Sequence, residues 1–142
     1  MARAPIQQRR VSFDLSRVLT LTAPAREQID SLNALALALY ACNLTYLRET
    51  PGTPSILDGG VRYQADPRGV EVWRDTGALL MRGKGDCKAI ACAYAAELTH
   101  QGHPAVPSVV PAGDPEALDF HVVVETASGE ILDPCVWLGM PT

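Results

Sequence analysis

Ile29, Leu32, Leu35, Leu39, Cys42 and Tyr46 recur at three- and four-residue spacing, the period of one face of an α-helix. Thr22 and Pro24 precede this run as N-cap and early-helix proline, and Thr50-Pro51-Gly52-Thr53-Pro54 ends it, so the pattern predicts a long helix over residues 24–50. A second helix is predicted from Asp86 or Cys87 to Gln101, with Gly102 at the left-handed cap and Pro104 just beyond. Cys87, Ile90, Ala91, Tyr94, Ala95 and Leu98 share a face of it, and its alanines allow close approach to a sheet. Alternation at Val11, Phe13 and Leu15 predicts a short extended segment within 11–22. Ala105–Pro111 reads as a strand whose Pro107 demands an edge or a bulge. Asp119–Thr126 and Glu130–Trp137 read as strands joined at Ala127-Ser128-Gly129 into a hairpin. Gly, Pro and Asp crowd Ser55–Gly77, predicting loop with short helical pieces anchored by Tyr63 and Trp73, and Gly113–Leu118 is a further loop.

These elements fit one α+β domain over residues 1–142: an arm at 1–23, the long helix, and a core at 60–140. Apolar residues are 47% of the chain, charged residues 20%, and the net charge is −4, which gives no electrostatic case for nucleic acid. Met1–Asp14 carries arginines without a continuous apolar run, so no secretory signal is expected. The longest apolar stretch, Ala34–Cys42, is less than half of the ~20 residues a spanning helix needs. Synthesis in the cytoplasm without membrane insertion is the expectation, and it favours reduced thiols for Cys42, Cys87, Cys92 and Cys135. Cys42, Cys92 and Cys135 are expected in packing roles.

Gly83-Lys84-Gly85-Asp86-Cys87 changes the picture, because it sets one thiol at a helix start. Unpaired N–H groups and partial positive charge there favour a thiolate, and Arg82, Lys84 and Lys88 either add to the effect or form a solvated rim. A thiol nucleophile needs a base and a group that orients the base. His121 and Asp133 are the candidates. With a three-residue loop and Gly129 left-handed, Thr126 pairs with Glu130 and Val123 with Asp133, which makes His121 and Asp133 diagonal neighbours on one face. A two-residue turn would put Asp133 on the other face. Each residue alone has an ordinary structural use; their order on helix, strand and neighbouring strand is what singles them out. Metal binding competes, since Cys42, Cys87, Cys92, Cys135, His100, His103 and His121 are all potential ligands. Spacing disfavours a structural zinc: Cys87 and Cys92 diverge on a helix, no Cys-x-x-Cys occurs, and His100 and His103 straddle Gly102.

Gly85-Asp86-Cys87 opening a helix that ends Ala95-Ala96-Glu97-Leu98-Thr99-His100-Gln101-Gly102, then His121 in a Val-rich strand and Asp133-Pro134 closing the next, resembles the transglutaminase-like branch of the papain-type thiol enzymes over residues 60–140. Val61–Pro67 and Leu138-Gly139-Met140 are similar to small bacteriophage-encoded members. The resemblance implies a nucleophile-bearing helix packed on an antiparallel sheet and a Cys-His-Asp triad without cofactor or metal. It implies that Cys87 attacks an amide or ester carbonyl, that His121 acts as base and then acid, and that Asp133 orients the imidazole. The Cys87 N–H and one unassigned donor would form the oxyanion hole, and Trp73 is a candidate cleft residue. Without the flanking domains and calcium loop of animal transglutaminases, hydrolysis of peptide, isopeptide or cell-wall peptide bonds is expected over crosslinking. The alternative is a virion structural or assembly protein that keeps the fold with little or no catalysis, its arm and long helix contacting other virion proteins.

Overall fold

The computed structural model describes residues 25–67, 72–113 and 120–142. The predicted arm, the extended segment at 11–22 and the Thr22 cap lie outside them, as does most of the Gly113–Leu118 loop. The long helix is α1, Ala25–Glu49. Leu32 and Leu39 of the predicted stripe pack against the core, but the most deeply buried positions are Gln28, Ala36, Asn43 and Leu47, and Cys42 is exposed and has no packing role. Small and polar residues take the inward positions because of what they meet. At Ala36 the helix comes close enough for the Cys92 thiol to donate to its carbonyl at 3.5 Å. Asn43 accepts the Thr76 N–H at 2.8 Å.

Two elements escaped the hydrophobic pattern. A parallel pair joins β1 (Arg62–Tyr63) to β2 (Lys84–Gly85), and α2 spans Thr76–Arg82 in what reads partly as loop. Capping makes so short a helix possible. Asp75 accepts the Ala78 N–H at 2.8 Å, and Gly83, at φ 72°, returns its N–H to the Leu79 carbonyl at 2.9 Å. Close packing explains Gly85 as well: a Cβ there would stand 2.5 Å from Leu79 Cδ1 and 3.3 Å from Ala89 Cβ.

The second predicted helix is α3, Cys87–His100, with Asp86 as N-cap. Its end follows the sequence closely. Gly102 is left-handed at φ 93°, its N–H meets the Thr99 carbonyl at 3.1 Å, and the His103 N–H meets that of Leu98 at 2.8 Å. The predicted single inward face is too narrow, however. Lys88, Ala89, Cys92, Ala93, Ala96 and Glu97 are buried as well, so α3 is enclosed on nearly all sides. Ala91, Cys92 and Ala95 pack with α1 and the sheet. Ala89, Ile90 and Ala93 pack with Ile56, Val61, Leu79, Cys135 and Leu138.

The antiparallel sheet has the order β3 (Ala105–Pro111), β4 (Phe120–Thr126), β5 (Ile131–Leu132). Pro107 therefore sits on an edge strand. That edge is covered, because Asn33 of α1 accepts the Val109 N–H at 2.9 Å. Glu130–Trp137 is not one strand as predicted. Pairing ends at Leu132, Asp133 turns the chain as an N-cap, and Pro134 opens the four-residue helix α4, Pro134–Trp137. The Trp137 ring then meets Tyr94 of α3 edge-on at 5.6 Å between centroids. Among the described residues no helix is long and apolar enough to cross a membrane.

Glu97 ties the turn after α1 to α3, accepting from Ile56 N–H at 2.7 Å and from the Ser55 hydroxyl at 3.0 Å. Burial raises its pKa above the ordinary glutamate range against those two donors. Glu97→Gln, which keeps an acceptor and removes a buried charge, is expected to stay within about 1 kcal/mol of the parent, whereas Glu97→Ala orphans a buried N–H and should cost about 1–3 kcal/mol in urea unfolding. Gly85→Ala should cost a similar amount, about 1–3 kcal/mol, through overpacking against Leu79.

Candidate active site

Length matching decides where the candidate residues fall. From Cys87 to His100, α3 is about 20 Å long. After the tight Gln101–Pro104 turn, the seven residues of β3 run back over about 23 Å. The start of β4 is paired to the end of β3, Val110 with His121 and Pro111 with Phe120, so His121 lies level with the start of α3. In turn β5 runs back along β4 and releases Asp133 at the same end.

The hairpin has the predicted register. Glu125 pairs with Ile131 and Val124 with Leu132, the Thr126 N–H meets the Glu130 carbonyl at 2.9 Å, and Gly129 is left-handed at φ 86°. His121 and Asp133 consequently meet as diagonal neighbours, with His121 Nε2 2.7 Å from Asp133 Oδ2. The ring N–H donates to the carboxylate, which leaves Nδ1 as the ring nitrogen for proton transfer. Asp133 Oδ1 accepts the Cys135 N–H at 3.2 Å, so the carboxylate is oriented by its own cap. The side chains of His121 and Asp133 remain 18% and 29% accessible, so both are partly open to solvent.

Cys87 is half-buried at the first turn of α3 and packs against both core clusters. Among the described residues, His121, Asp133 and Cys135 bring their ligand atoms within 4.8 Å of one another. Strand alternation sets the face on which the imidazole lies. Phe120, Val122 and Val124 face α1 and α3, which sends His121 to the opposite face of the sheet. The α4 turn brings Cys135 next to the imidazole. Cys135 is fully buried, and burial first, then the nearby Cys87 and Asp133, push its thiol far above the ordinary range. Such a thiol is a poor nucleophile, which leaves the half-buried Cys87 as the reactive candidate. Tyr63 stands at the same end; burial and then the charge at Cys87 raise its phenol.

A buried ion cluster, not foreseen from the sequence, adjoins the thiol. Lys88 pairs with Asp86 and, at 3.5 Å, with Asp66, which also binds Arg74 at 3.3 Å. Trp73 covers it, with the Lys88 ammonium 5.8 Å from its ring centroid. Lys88 is therefore no solvated rim, whereas Arg82 and Lys84 are exposed. The signal available beforehand was a lysine in the first turn of a helix, where the macrodipole disfavours a cation and carboxylates must compensate. No family model, curated protein or solved structure matches this chain, so its chemistry rests on the geometry of these residues.

The two carboxylates of the cluster titrate in opposite directions. Burial raises Asp86 in spite of Lys88. Asp66 falls below its usual range: burial opposes the shift, but the Val72 N–H, Lys88 and Arg74 outweigh it. Stability from Asp66 is thus present above the ordinary carboxylate range and lost as pH falls through its lowered pKa, while Asp86 favours the fold at acid pH and loses that contribution as pH rises through its raised one. Lys88→Met should cost about 3–5 kcal/mol at pH 7 by leaving buried carboxylates without their shared cation. The deficit in thermal unfolding should shrink as pH falls, because Asp86, already raised by burial, takes up a proton and no longer needs the cation.

Proposed function

We propose that this chain is a cysteine-dependent hydrolase or acyl transferase of the transglutaminase-like, papain-type kind, acting on an amide bond of a peptide, isopeptide or cell-wall peptide. The observation that carries the reading is the 2.7 Å bond between His121 and Asp133, at the end of the sheet where α3 begins with Cys87. In this reading Cys87 Sγ forms the bond to the carbonyl carbon and its proton passes to His121. The tetrahedral oxyanion is met by the Cys87 N–H at the helix start. His121 then protonates the leaving amine, and water or a second amine releases the acyl group. Asp133 holds the ring and balances the imidazolium.

A second reading, a virion structural or assembly protein on the same fold, draws on a different observation. Val122 and Val124 take the sheet face that packs on α1 and α3, so alternation along β4 places His121 on the other face. The long helix does not favour this reading, because α1 covers the β3 edge and packs on α3; it is part of the core.

Alkylation of Cys87 by iodoacetamide across pH, in a Cys42→Ser background, separates the two. The enzyme reading expects an apparent pKa at least one unit below the ~8.5 of an ordinary thiol, moved upward in His121→Ala. An ordinary thiol profile, indifferent to His121, leaves the structural reading. Incubation with peptidoglycan and protein panels should give amide products with the parent chain and none with Cys87→Ala.

A further inference from the structure

His121, Asp133 and Cys135 combine an imidazole, a carboxylate and a thiol, the donor set of borderline transition metals. We propose that these three side chains form a binding site for a divalent cation of the zinc type. All three ligand atoms lie within 4.8 Å of one another. A tetrahedral ion at the usual bond lengths of ~2.0–2.3 Å sets its ligands roughly 3.3–3.8 Å apart. Closing the group around an ion therefore takes shifts of about an ångström or less, within the reach of rotations about side-chain bonds. The surroundings are built for it. Asp133 is fixed by the Cys135 N–H on its other oxygen at 3.2 Å, an outer contact of the kind that orients metal ligands. Access is from the side of His121 and Asp133, which are partly exposed, while Cys135 forms the buried floor. Three protein ligands leave a fourth position for water.

The set differs from the cysteine-rich ones that spacing disfavours. Its members come from the start of β4 and from the turn between β5 and α4, and the hairpin register brings them together. Binding balances simply. The ion takes the place of the Nε2 proton between His121 and Asp133, which moves to Nδ1 so that the imidazole stays a neutral ligand, and the thiol proton of Cys135 leaves to solvent. One consequence rests on the proposed thiol chemistry: an ion held by His121 removes the base from Cys87, so zinc would switch that chemistry off.

Cobalt(II) serves as the spectroscopic probe and Zn2+ as its competitor, in the full chain with Cys42→Ser to remove an exposed thiol. One Co2+ per chain is expected, with a thiolate charge-transfer band in the near ultraviolet that Zn2+ abolishes. Cys135→Ser should remove the band, and His121→Ala or Asp133→Asn should weaken Zn2+ binding by about tenfold or more. Circular dichroism verifies the fold of each variant, and Cys135→Ala replaces Cys135→Ser if the serine unfolds the chain. Absence of 1:1 binding, or a band that persists without Cys135, overturns the proposal. Since binding is read without any substrate, it succeeds or fails apart from the alkylation profile of metal-free Cys87, which tests the thiol chemistry alone.

Discussion

Almost every part of this structure is positioned by what must be buried around α3. Its small residues expose little side-chain volume of their own, so the helix is stabilised only when neighbours close on it from several directions. The long helix α1 closes one side at Ala36 and the sheet does so at Val122 and Val124. Ile56, Leu79 and the α4 turn close the other. A helix enclosed in this way has a fixed axial position, and its first residue, Cys87, inherits that precision. The same enclosure explains why a side chain at Gly85 would crowd Leu79 and why α2, only seven residues long, is worth capping at both ends.

Enclosure also brings charges inside, and the fold answers each one. Lys88 lies in the first turn of α3, where the helix dipole opposes it, and Asp86 and Asp66 supply the balance. Since Asp66 and Arg74 belong to the segment between β1 and α2, the ion cluster fastens that segment to the start of the helix. At the opposite end of α3, Glu97 holds the turn at Ser55 and Ile56. The two groups act as polar fasteners for segments that have few apolar residues of their own.

At the end of the sheet, a three-residue turn fixes chemistry some distance from itself. Gly129 sets the register, the register sets His121 against Asp133, and the cap made by Asp133 starts α4 and delivers Cys135 to the same place. A carboxylate shared between an imidazole and a helix cap cannot rotate freely, so the pair is held ready for proton transfer or for a metal ion. The two thiols at this end differ in burial: Cys135 is sealed, and Cys87 is half-open at a helix start.

Local signals determined a good deal by themselves. The ends of α3 were legible because Asp86, Gly102 and Pro104 act on the backbone within a turn of where they stand. The hairpin register was legible for the same reason, as was the edge position of Pro107. Other features depended on contacts far apart in sequence, and only the tertiary structure decided them. Periodicity put Cys42 inside α1, but the inward stripe is set by what α3 and α2 offer, and they select Ala36 and Asn43. Composition gave no hint that Lys88 meets Asp66, that β1 and β2 pair, or that Cys135 joins His121 and Asp133. The candidate residues Cys87, His121 and Asp133 could be named from the sequence, since helix starts and turns are short-range events. Their spatial arrangement, with His121 on the sheet face that α3 leaves uncovered, follows from strand alternation combined with packing, and packing is a property of the whole chain.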